Sequence, residues 1–482
     1  MAKSRAHSVR PSGFPGLVVA LLFIVAALLP LIAALSTGMQ LGRTSAEFAT
    51  ALGLTAAALL FLQFWSSGRY ESISGRIGID RTMGFHRIAA YALLAFAILH
   101  PLSYLANTAL ADPVAAWNRL MAMASSPRLR SGVVALAGLI IIVFLAALRT
   151  RPYMRYEFWR MFHGPLAILV AGLVLHHALT TGAYSSQAPL RYLWILYAVG
   201  AMAAIVLVYV VRPWRMWRED WRVEQVRRLG ERTVEMILLG PVTTQLRFRA
   251  GQFVWMTLAP HRPPFHDHPF SIASAPAELP HLRLVINEVG DCTRSYERTA
   301  PGTRVAIDGP HGSFIVPSDK APVLLLAGGV GIAPLLGAIE DAAARGDPRP
   351  YRLLFAARQQ EDLICLDRLR ELQSKLDLSI RCLVDEGHRE NQTGTGPLNS
   401  RHVRDLVEGI DPQGAVALVC GPPGMMEVAT DALLAAGIPG NSILYERFDF
   451  GAGKSRLDKR RRNQALLILA AIIAAMAAFS VR

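Results

Sequence analysis

Cysteine is scarce in this sequence. The 482 residues hold four, at positions 292, 365, 382 and 420, all in the second half and with no Cys-x-x-Cys spacing. Disulfide frameworks and cysteine-ligated iron–sulfur clusters both need closer and more numerous thiols, so neither is expected. Acidic residues are short as well: 36 Asp and Glu against 50 Lys and Arg leave a formal charge of +14. Charge of either sign is almost missing from seven runs, at about 17–35, 46–66, 83–106, 131–148, 162–181, 190–211 and 464–480. Together with 52% hydrophobic residues and a mean hydropathy of +0.32, these runs exclude an ordinary soluble protein and indicate two or three domains.

What is present between the runs is unevenly basic. Lys3, Arg5 and Arg10 precede the first run; Arg69, Arg76 and Arg81 lie between the second and third. Arg149, Arg151, Arg155 and Arg160 separate the fourth and fifth, and Arg212, Arg215 and Arg218 follow the sixth. The alternate loops carry only Arg43, Arg119, Arg128, Arg130 and Arg191. Loops rich in Lys and Arg stay in the cytoplasm, so the N-terminus and the mixed-texture half from 215 to 450 are expected there, in a multi-pass protein of the cell membrane (plasma or bacterial inner). The positive charge is then a topology signal; membrane lipid is the expected surrounding and no nucleic-acid partner is implied. The first run has the basic flank of a signal peptide but no convincing small-residue cleavage site, and removing it would leave an odd five-helix bundle. A retained anchor is expected.

Four histidines interrupt the apolar runs: His86 and His100, fourteen positions apart, and His163 and His176, thirteen apart. An ionisable side chain inside lipid is costly enough to imply function. At 1.5 Å rise per residue each pair is separated by about 20 Å along its helix, most of a hydrocarbon core about 30 Å thick. Two such helices side by side offer two stacked His/His pairs, the geometry for two six-coordinate haems. Spacing alone does not distinguish haem from another metal, although zinc would need three or four ligands converging at one point. A single intramembrane histidine often only bonds a neighbouring helix; four at near-matched spacing argue for more.

In the soluble half, 222–258 and 282–308 read as short, partly alternating strands punctuated by Gly and Pro, a small antiparallel barrel. Within it stands His268-Pro269-Phe270-Ser271-Ile272-Ala273-Ser274, where an aromatic beside a hydroxyl could stack on a flavin and bond its ribityl or phosphate. Further on, Leu324-Leu325-Leu326-Ala327-Gly328-Gly329-Val330-Gly331-Ile332-Ala333-Pro334 is a buried strand, a glycine turn and a proline suited to a first helical turn. Glycines let the backbone approach a pyrophosphate, which then sits at the helix N-terminus. Pro334 replaces the last glycine of G-x-G-x-x-G, so the standard dinucleotide fingerprint is not met. Val419-Cys420-Gly421-Pro422-Pro423-Gly424-Met425 repeats the plan, and Leu353-Leu354-Phe355-Ala356-Ala357-Arg358 between them is a second strand ending in a cation.

As a set, these residues resemble the transmembrane NADPH oxidase and ferric reductase superfamily from about 15 to 450. The resemblance is carried by the histidine pairs, His268-Pro269-Phe270-Ser271, Gly290-Asp291-Cys292-Thr293, Asp308-Gly309-Pro310, the two glycine turns and the ending Tyr445-Glu446-Arg447-Phe448-Asp449-Phe450. It implies a multi-domain membrane protein. A six-helix haem-binding bundle at 15–213 would follow a cytoplasmic N-terminus at 1–14. An antiparallel β-barrel FAD domain would occupy 214–318 and an α/β NAD(P)H domain 319–450, with a basic linker and seventh membrane segment at 451–482. His86 with His163 would bind the haem nearer the cytoplasm and His100 with His176 the outer one, with His177 as the alternative to His176. Thirteen residues do not return an ideal helix to the same face, but Pro165 could re-register it. FAD would contact His268, Pro269, Phe270, Ser271, Gly290 and Thr293. The nucleotide would contact Gly328, Gly329, Gly331, Pro334, Arg358, Gly421 and Pro422. Cys420, the flavin-covering Phe450 (rather than Phe448) and Arg43 near the outer haem would serve the reaction. Arg358 favours NADPH over NADH through the 2′-phosphate.

Two features depart from the family. Oxygen-reducing members commonly carry a histidine four residues after the outer ligand of the third helix, where Tyr104 stands, so a ferric chelate is at least as good an acceptor as oxygen. The chain also continues past Phe450 through Lys454, Arg456, Lys459, Arg460, Arg461 and Arg462 into the apolar stretch 465–481. The implied activity is NAD(P)H-dependent electron transfer through FAD and two b-type haems to a small-molecule acceptor on the outer face. An electron-relay subunit serving a quinone or protein is the alternative. No calcium-binding loop is present, so constitutive activity is expected.

Overall fold

The computed structural model describes residues 13–41, 43–149, 156–259, 266–288, 293–386, 393–447 and 453–481. The chain divides into two units. A membrane-type unit gathers Gly13–Ile73, Arg81–Val210 and Arg462–Arg482; a reductase-type unit gathers Ser74–Asp80 and Val211–Arg461.

The first six uncharged runs lie in helices α1 (Gly16–Ser36), α2 (Thr44–Gln63), α4 (Ile79–Ala111), α6 (Arg130–Leu148), α7 (Tyr156–Thr181) and α8 (Ala188–Val206), with the shorter α3 (Glu71–Ile77) and α5 (Pro113–Ser125) between them. A π-helical turn, Leu207–Val211, leads from α8 into α9 (Arg212–Arg218). Among the described residues seven helices are long and apolar enough to cross a membrane: α1, α2, α4, α6, α7, the α8–α9 run and a C-terminal helix, Arg456–Ser480. Of these α2 is the hub, with 67% of its apolar window buried against 28% or less in the others. Its small residues Ala49, Ala51, Gly53, Ala56, Ala57 and Ala58 explain this, because they let neighbouring helices approach closely. Pro165 lies inside α7 without ending it, as expected where neighbouring helices can re-satisfy the freed carbonyl.

One element was not legible in the sequence. After α4, Asp112 caps α5 by accepting from the backbone N–H of Val114 and Ala115, with Pro113 in the first turn. At thirteen residues α5 is too short to span a bilayer, and it leaves Val114 and Trp117 exposed.

The reductase unit has two lobes. Its barrel lobe is an antiparallel sheet of β1 (Trp221–Gly230), β2 (Thr233–Leu239), β3 (Phe253–Leu258), β4 (His268–Ser271), β5 (His281–Asn287) and β6 (Arg304–His311), in the order β4-β3-β6-β1-β2-β5. A bridge from Ile272 to Leu284 brings the two edges together. Inward residues Val223, Met236, Met256, Ile272 and Leu284 form its core, matching the alternation in the sequence.

The second lobe is a parallel sheet: β7 (Val323–Gly328), β8 (Tyr351–Ala357), β9 (Leu378–Val384), β10 (Thr393–Thr395), β11 (Val416–Cys420) and β12 (Ile443–Tyr445), in the order β10-β9-β8-β7-β11-β12. Helices α10 (Ile332–Arg345), α11 (Leu366–Leu372), α12 (Ser400–Val407) and α13 (Pro423–Ala435) connect the strands. Both faces of β7 are covered, with Leu325 in one apolar cluster and Leu324 and Leu326 in the other, which is why that strand reads as an unbroken apolar run. The last helix, α14 (Arg456–Ser480), starts earlier than expected. The basic patch 459–462 forms helical turns rather than a linker, since Lys and Arg are good helix formers and Ser455 caps them.

Candidate functional site

α4 and α7 carry the histidines, and the fold brings them together as pairs. His86 lies within electrostatic reach of His163, and His100 within reach of His177. Each α4 histidine has Nδ1 held by the α2 segment: His86 meets the Ser66 hydroxyl at 3.0 Å and His100 the Ala49 carbonyl at 2.6 Å. Holding Nδ1 fixes the ring and reserves Nε2 for another partner. Nδ1 of His163 and of His177 is buried with no hydrogen-bond partner among the described residues. Glycines make room for two of the rings: a Cβ on Gly53 would stand 2.7 Å from the His100 ring, and one on Gly132 would stand 2.7 Å from that of His177.

The structure places His177, the alternative to His176, within reach of His100. His176 is exposed and its Nδ1 meets Ser131 Oγ at 3.1 Å, whereas His177 shares the inner stripe with His163. The reason is that α7 runs unbroken through Pro165, so ordinary helical periodicity applies, and fourteen residues come back to nearly the same face while thirteen do not. Imidazoles arrive in twos, and among the described residues no cluster of three or more His, Cys, Asp or Glu could hold a metal ion. A pair of imidazoles, with no third protein donor, suits a haem iron, and these residues would hold it.

Around the outer pair, the Tyr104 hydroxyl bonds Thr50 at 2.9 Å and its ring stands edge-on to His100 at 5.5 Å. Arg43 is exposed at the N-cap of α2. One turn on is a residue that sequence reasoning missed: Glu47, buried, accepts from the Leu41 N–H at 2.6 Å and the Tyr184 hydroxyl at 2.9 Å.

In the reductase unit the strand order sets the site. From β7 the chain moves outward through β8, β9 and β10, then returns to lay β11 and β12 on the other side of β7, so the carboxyl ends of β7 and β11 form a topological switch point, where open α/β sheets bind ligands. Both glycine turns stand there. A Cβ on Gly328 would meet Pro422 at 2.7 Å, one on Gly421 would meet the Gly328 Cα at 2.9 Å, and one on Gly331 would strike the Cys420 carbonyl. The two turns thus touch backbone to backbone. Gly329 has φ +52° and its Cβ direction is open, so no side chain covers the backbone just before α10, which has buried Pro334 in its first turn.

Three polar side chains converge beside these turns. Ser271 at the end of β4 hydrogen-bonds Glu446, which follows β12, and Glu446 acts electrostatically on Cys420 at the end of β11. Burial, with Asp80 adding, pushes the Glu446 carboxyl well above the usual carboxylate range; the Ser271 hydrogen bond opposes this. Burial likewise raises the Cys420 thiol, so the fold favours the neutral form of both groups. Sequence reasoning named Ser271 and Cys420 but left Glu446 without a role.

Phe270, expected to contact FAD, lies on β4. Its ring is buried in the barrel core, edge-on to Tyr296 at 5.9 Å, because strand alternation sends it to the face opposite Ser271. His268 and Pro269 are half-buried on β4, and Thr293 opens a short 3₁₀ turn. Arg358, just beyond β8, is exposed and pairs with Glu386 at 3.3 Å. Gly290, Asp291, Cys292, Phe448 and Phe450 lie outside the described residues.

Comparison with known proteins accords with this arrangement. Residues 52–174 match the ferric reductase like transmembrane component, 219–314 an FAD-binding domain, and 325–431 the oxidoreductase NAD-binding domain. The chain is 27% identical over 235 residues to the reductase component of propane 2-monooxygenase of Rhodococcus jostii (strain RHA1), covering 47% of this chain and 62% of that one. It is 27% identical over 232 residues to the toluate 1,2-dioxygenase electron transfer component of Pseudomonas putida, covering 47% and 66%. The chain thus spans less than two thirds of the length of either relative. The crystal structure of an Amycolatopsis cytochrome P450 reductase superposes with a TM-score of 0.43 at 26% identity, covering 48% of this chain and 69% of that one. With a ferric-reductase-type membrane domain followed in order by FAD-binding and NAD-binding domains, the chain belongs to the transmembrane ferric reductase and NADPH oxidase superfamily.

Proposed function

We propose that this membrane oxidoreductase moves electrons from cytoplasmic NAD(P)H, with NADPH preferred, to a ferric chelate or oxygen on the outer face. When bound, FAD would turn the two-electron hydride into single electrons that two b-type haems can conduct. His86 with His163 would hold the inner haem, and His100 with His177 the outer one. Two imidazoles to each iron would leave no open coordination position, so acceptor reduction would be outer-sphere. The observation that carries this reading is the meeting of two histidine pairs inside a membrane-length bundle, on a chain that also has a two-lobed reductase unit.

The chain's own groups then have definite tasks. The abutting turns at Gly328 and Gly421 admit a pyrophosphate to the start of α10, and Arg358 offers a cation to a 2′-phosphate. Its ion pair with Glu386 has side chains 73% and 58% exposed, and a surface pair of that kind contributes about 0–1 kcal/mol, too little to keep a phosphate out. Glu446 keeps its proton and holds the Ser271 hydroxyl, while the neutral Cys420 thiol presents an uncharged wall to the nicotinamide ring. Arg43 and Tyr104 stand on the outer side for the acceptor.

The test is acceptor-dependent NADPH consumption in membranes together with a visible spectrum of the pure protein. A haem Soret band, flavin absorbance and oxidation of NADPH that depends on added ferric chelate or oxygen are expected. Failure with both acceptors, in protein that holds its cofactors, would point instead to a relay serving a quinone or protein partner.

A further inference from the structure

The first two turns of α14 belong to the reductase unit, while the rest of the same helix belongs to the membrane-type unit. They are built into the nucleotide lobe far more closely than an anchor requires. Ser455 and Asp458 cap each other: the Ser455 hydroxyl donates to Asp458 at 2.7 Å and accepts from the Asp458 N–H at 3.1 Å. Carboxylates of α13 take the adjoining amides, Glu427 accepting from Lys454 N–H at 3.1 Å and Asp431 from Arg456 N–H at 2.7 Å. Leu457, 6% exposed, sits in the apolar cluster that also holds Leu324, Val419 and Ile443.

These turns close on the segment that carries Glu446. The Tyr445 hydroxyl donates to Asp458, and the Arg447 guanidinium stands 3.6 Å from the same carboxylate. Arg461 lies over the Tyr445 ring at 4.1 Å and pairs with Asp80 at 3.6 Å. Arg447, Asp458 and Arg461 have side chains only 6%, 13% and 15% exposed, so their pairing is largely desolvated. Meanwhile β12 is a three-residue edge strand, and its last paired residue is Tyr445, opposite Val419. Glu446 is the next residue. No ladder pair holds it, and its direction depends on what fixes Tyr445 and Arg447 on either side.

We infer that Asp458 is a positioning residue for the hydride-transfer site: by gripping Tyr445 and Arg447 it aims Glu446 at Ser271, so the start of the C-terminal helix is part of the reductase centre. The inference rests on the nucleotide-oxidising reading above. A misplacement of about 1 Å at a reacting centre can cost about a hundredfold in rate while leaving binding intact. Among the described residues Asp458 bonds Ser455, Tyr445 and Arg447 rather than the glycine turns or Arg358, so its loss should act on the rate and not on nucleotide affinity.

The experiment is stopped-flow bleaching of flavin absorbance by NADPH in the full-length, FAD-loaded protein. Wild type, Asp458→Asn, Asp458→Glu and Tyr445→Phe are compared. Asp458→Asn should lower the saturating rate by at least about tenfold, with the half-saturating NADPH concentration and the flavin content unchanged. Asp458→Glu should recover part of the rate, and Tyr445→Phe, which removes one hydroxyl, should show the same split with a smaller loss. Unchanged rates in Asp458→Asn and Tyr445→Phe would overturn the inference. So would a loss of flavin from both variants, or a rise in half-saturation that matches the fall in rate. A wild-type flavin that NADPH does not bleach would instead overturn the proposed nucleotide oxidation itself, so the two failures are told apart.

Discussion

Glu446 is the residue whose chemistry the fold most alters. Its burial and the nearby Asp80 favour the neutral acid and raise its pKa well above the usual carboxylate range. Hydride transfer that needs the neutral acid should therefore fall along an alkaline limb that lies above the ordinary carboxylate range. Glu446→Gln, which cannot ionise, should remove that alkaline limb at some cost in rate; a limb that persists in the variant would mean that another group titrates. Arg358 acts at the same scale. Losing one charge-assisted hydrogen bond to a 2′-phosphate costs about 1.5–3 kcal/mol, roughly tenfold to a hundredfold in KM for NADPH if binding is at equilibrium. Arg358→Ala should show that rise for NADPH with little change for NADH; equal rises for both would end the phosphate reading.

At the scale of elements, α7 decides between neighbouring histidines. His100→Ala and His177→Ala should each lower the pyridine haemochrome stoichiometry from two toward one, whereas His176→Ala should leave it at two. A drop in the His176 variant with none in the His177 variant would show that α7 is re-registered after all. Helix contacts enforce the ring positions. Gly53→Ala puts a methyl 2.7 Å from the His100 ring, and inserting a methyl into packed contacts typically costs about 1–3 kcal/mol, so this variant should lose outer haem before inner haem. In the nucleotide lobe, the Asp347 carboxyl is held at about 2 by hydrogen bonds from Arg349, below its ordinary value of 3.8. A depressed carboxylate contributes stability that is present above its unfolded pKa and is lost as pH falls through the folded one. Asp347→Asn should lower the unfolding free energy at neutral pH by a screened amount of about 1 kcal/mol, read as a lower melting temperature, with the difference from wild type closing as the pH falls from about 4 toward about 2.

For the molecule as a whole, α14 alters what a truncation means. Cutting after Phe450 removes the cap at Ser455, the buried Leu457 and the Asp458 contacts, so it should damage the nucleotide lobe and slow dye reduction by NADPH. Cutting after Gln464 keeps those turns and removes only the apolar part, so dye reduction should survive. Equal dye reduction in the two truncated forms, each compared with full-length protein, would show that the start of α14 is dispensable to the lobe.

The sequence by itself determined the partition of the chain. Seven uncharged runs, their flanking arginines, the period-2 strands of the barrel and the paired glycine turns are local patterns, and local patterns fix which elements form. The histidines on the third and fifth runs were legible for the same reason, because an ionisable group in lipid stands out against its neighbours. The tertiary structure decided what depends on the meeting of distant segments. Which of His176 and His177 faces the interior followed from an unbroken α7, and the inward turn of Phe270 from the alternation of β4. The grouping of Ser271, Cys420 and Glu446 could not be read in advance, since they lie about 150 and 26 positions apart and meet only because β4, β11 and β12 end at one place. The docking of α14 was hidden for a related reason. Lys and Arg before an apolar stretch look the same in a flexible linker as in a helix, and only the packed carboxylates of Glu427, Asp431 and Asp80 turn them into a fixed part of the reductase unit.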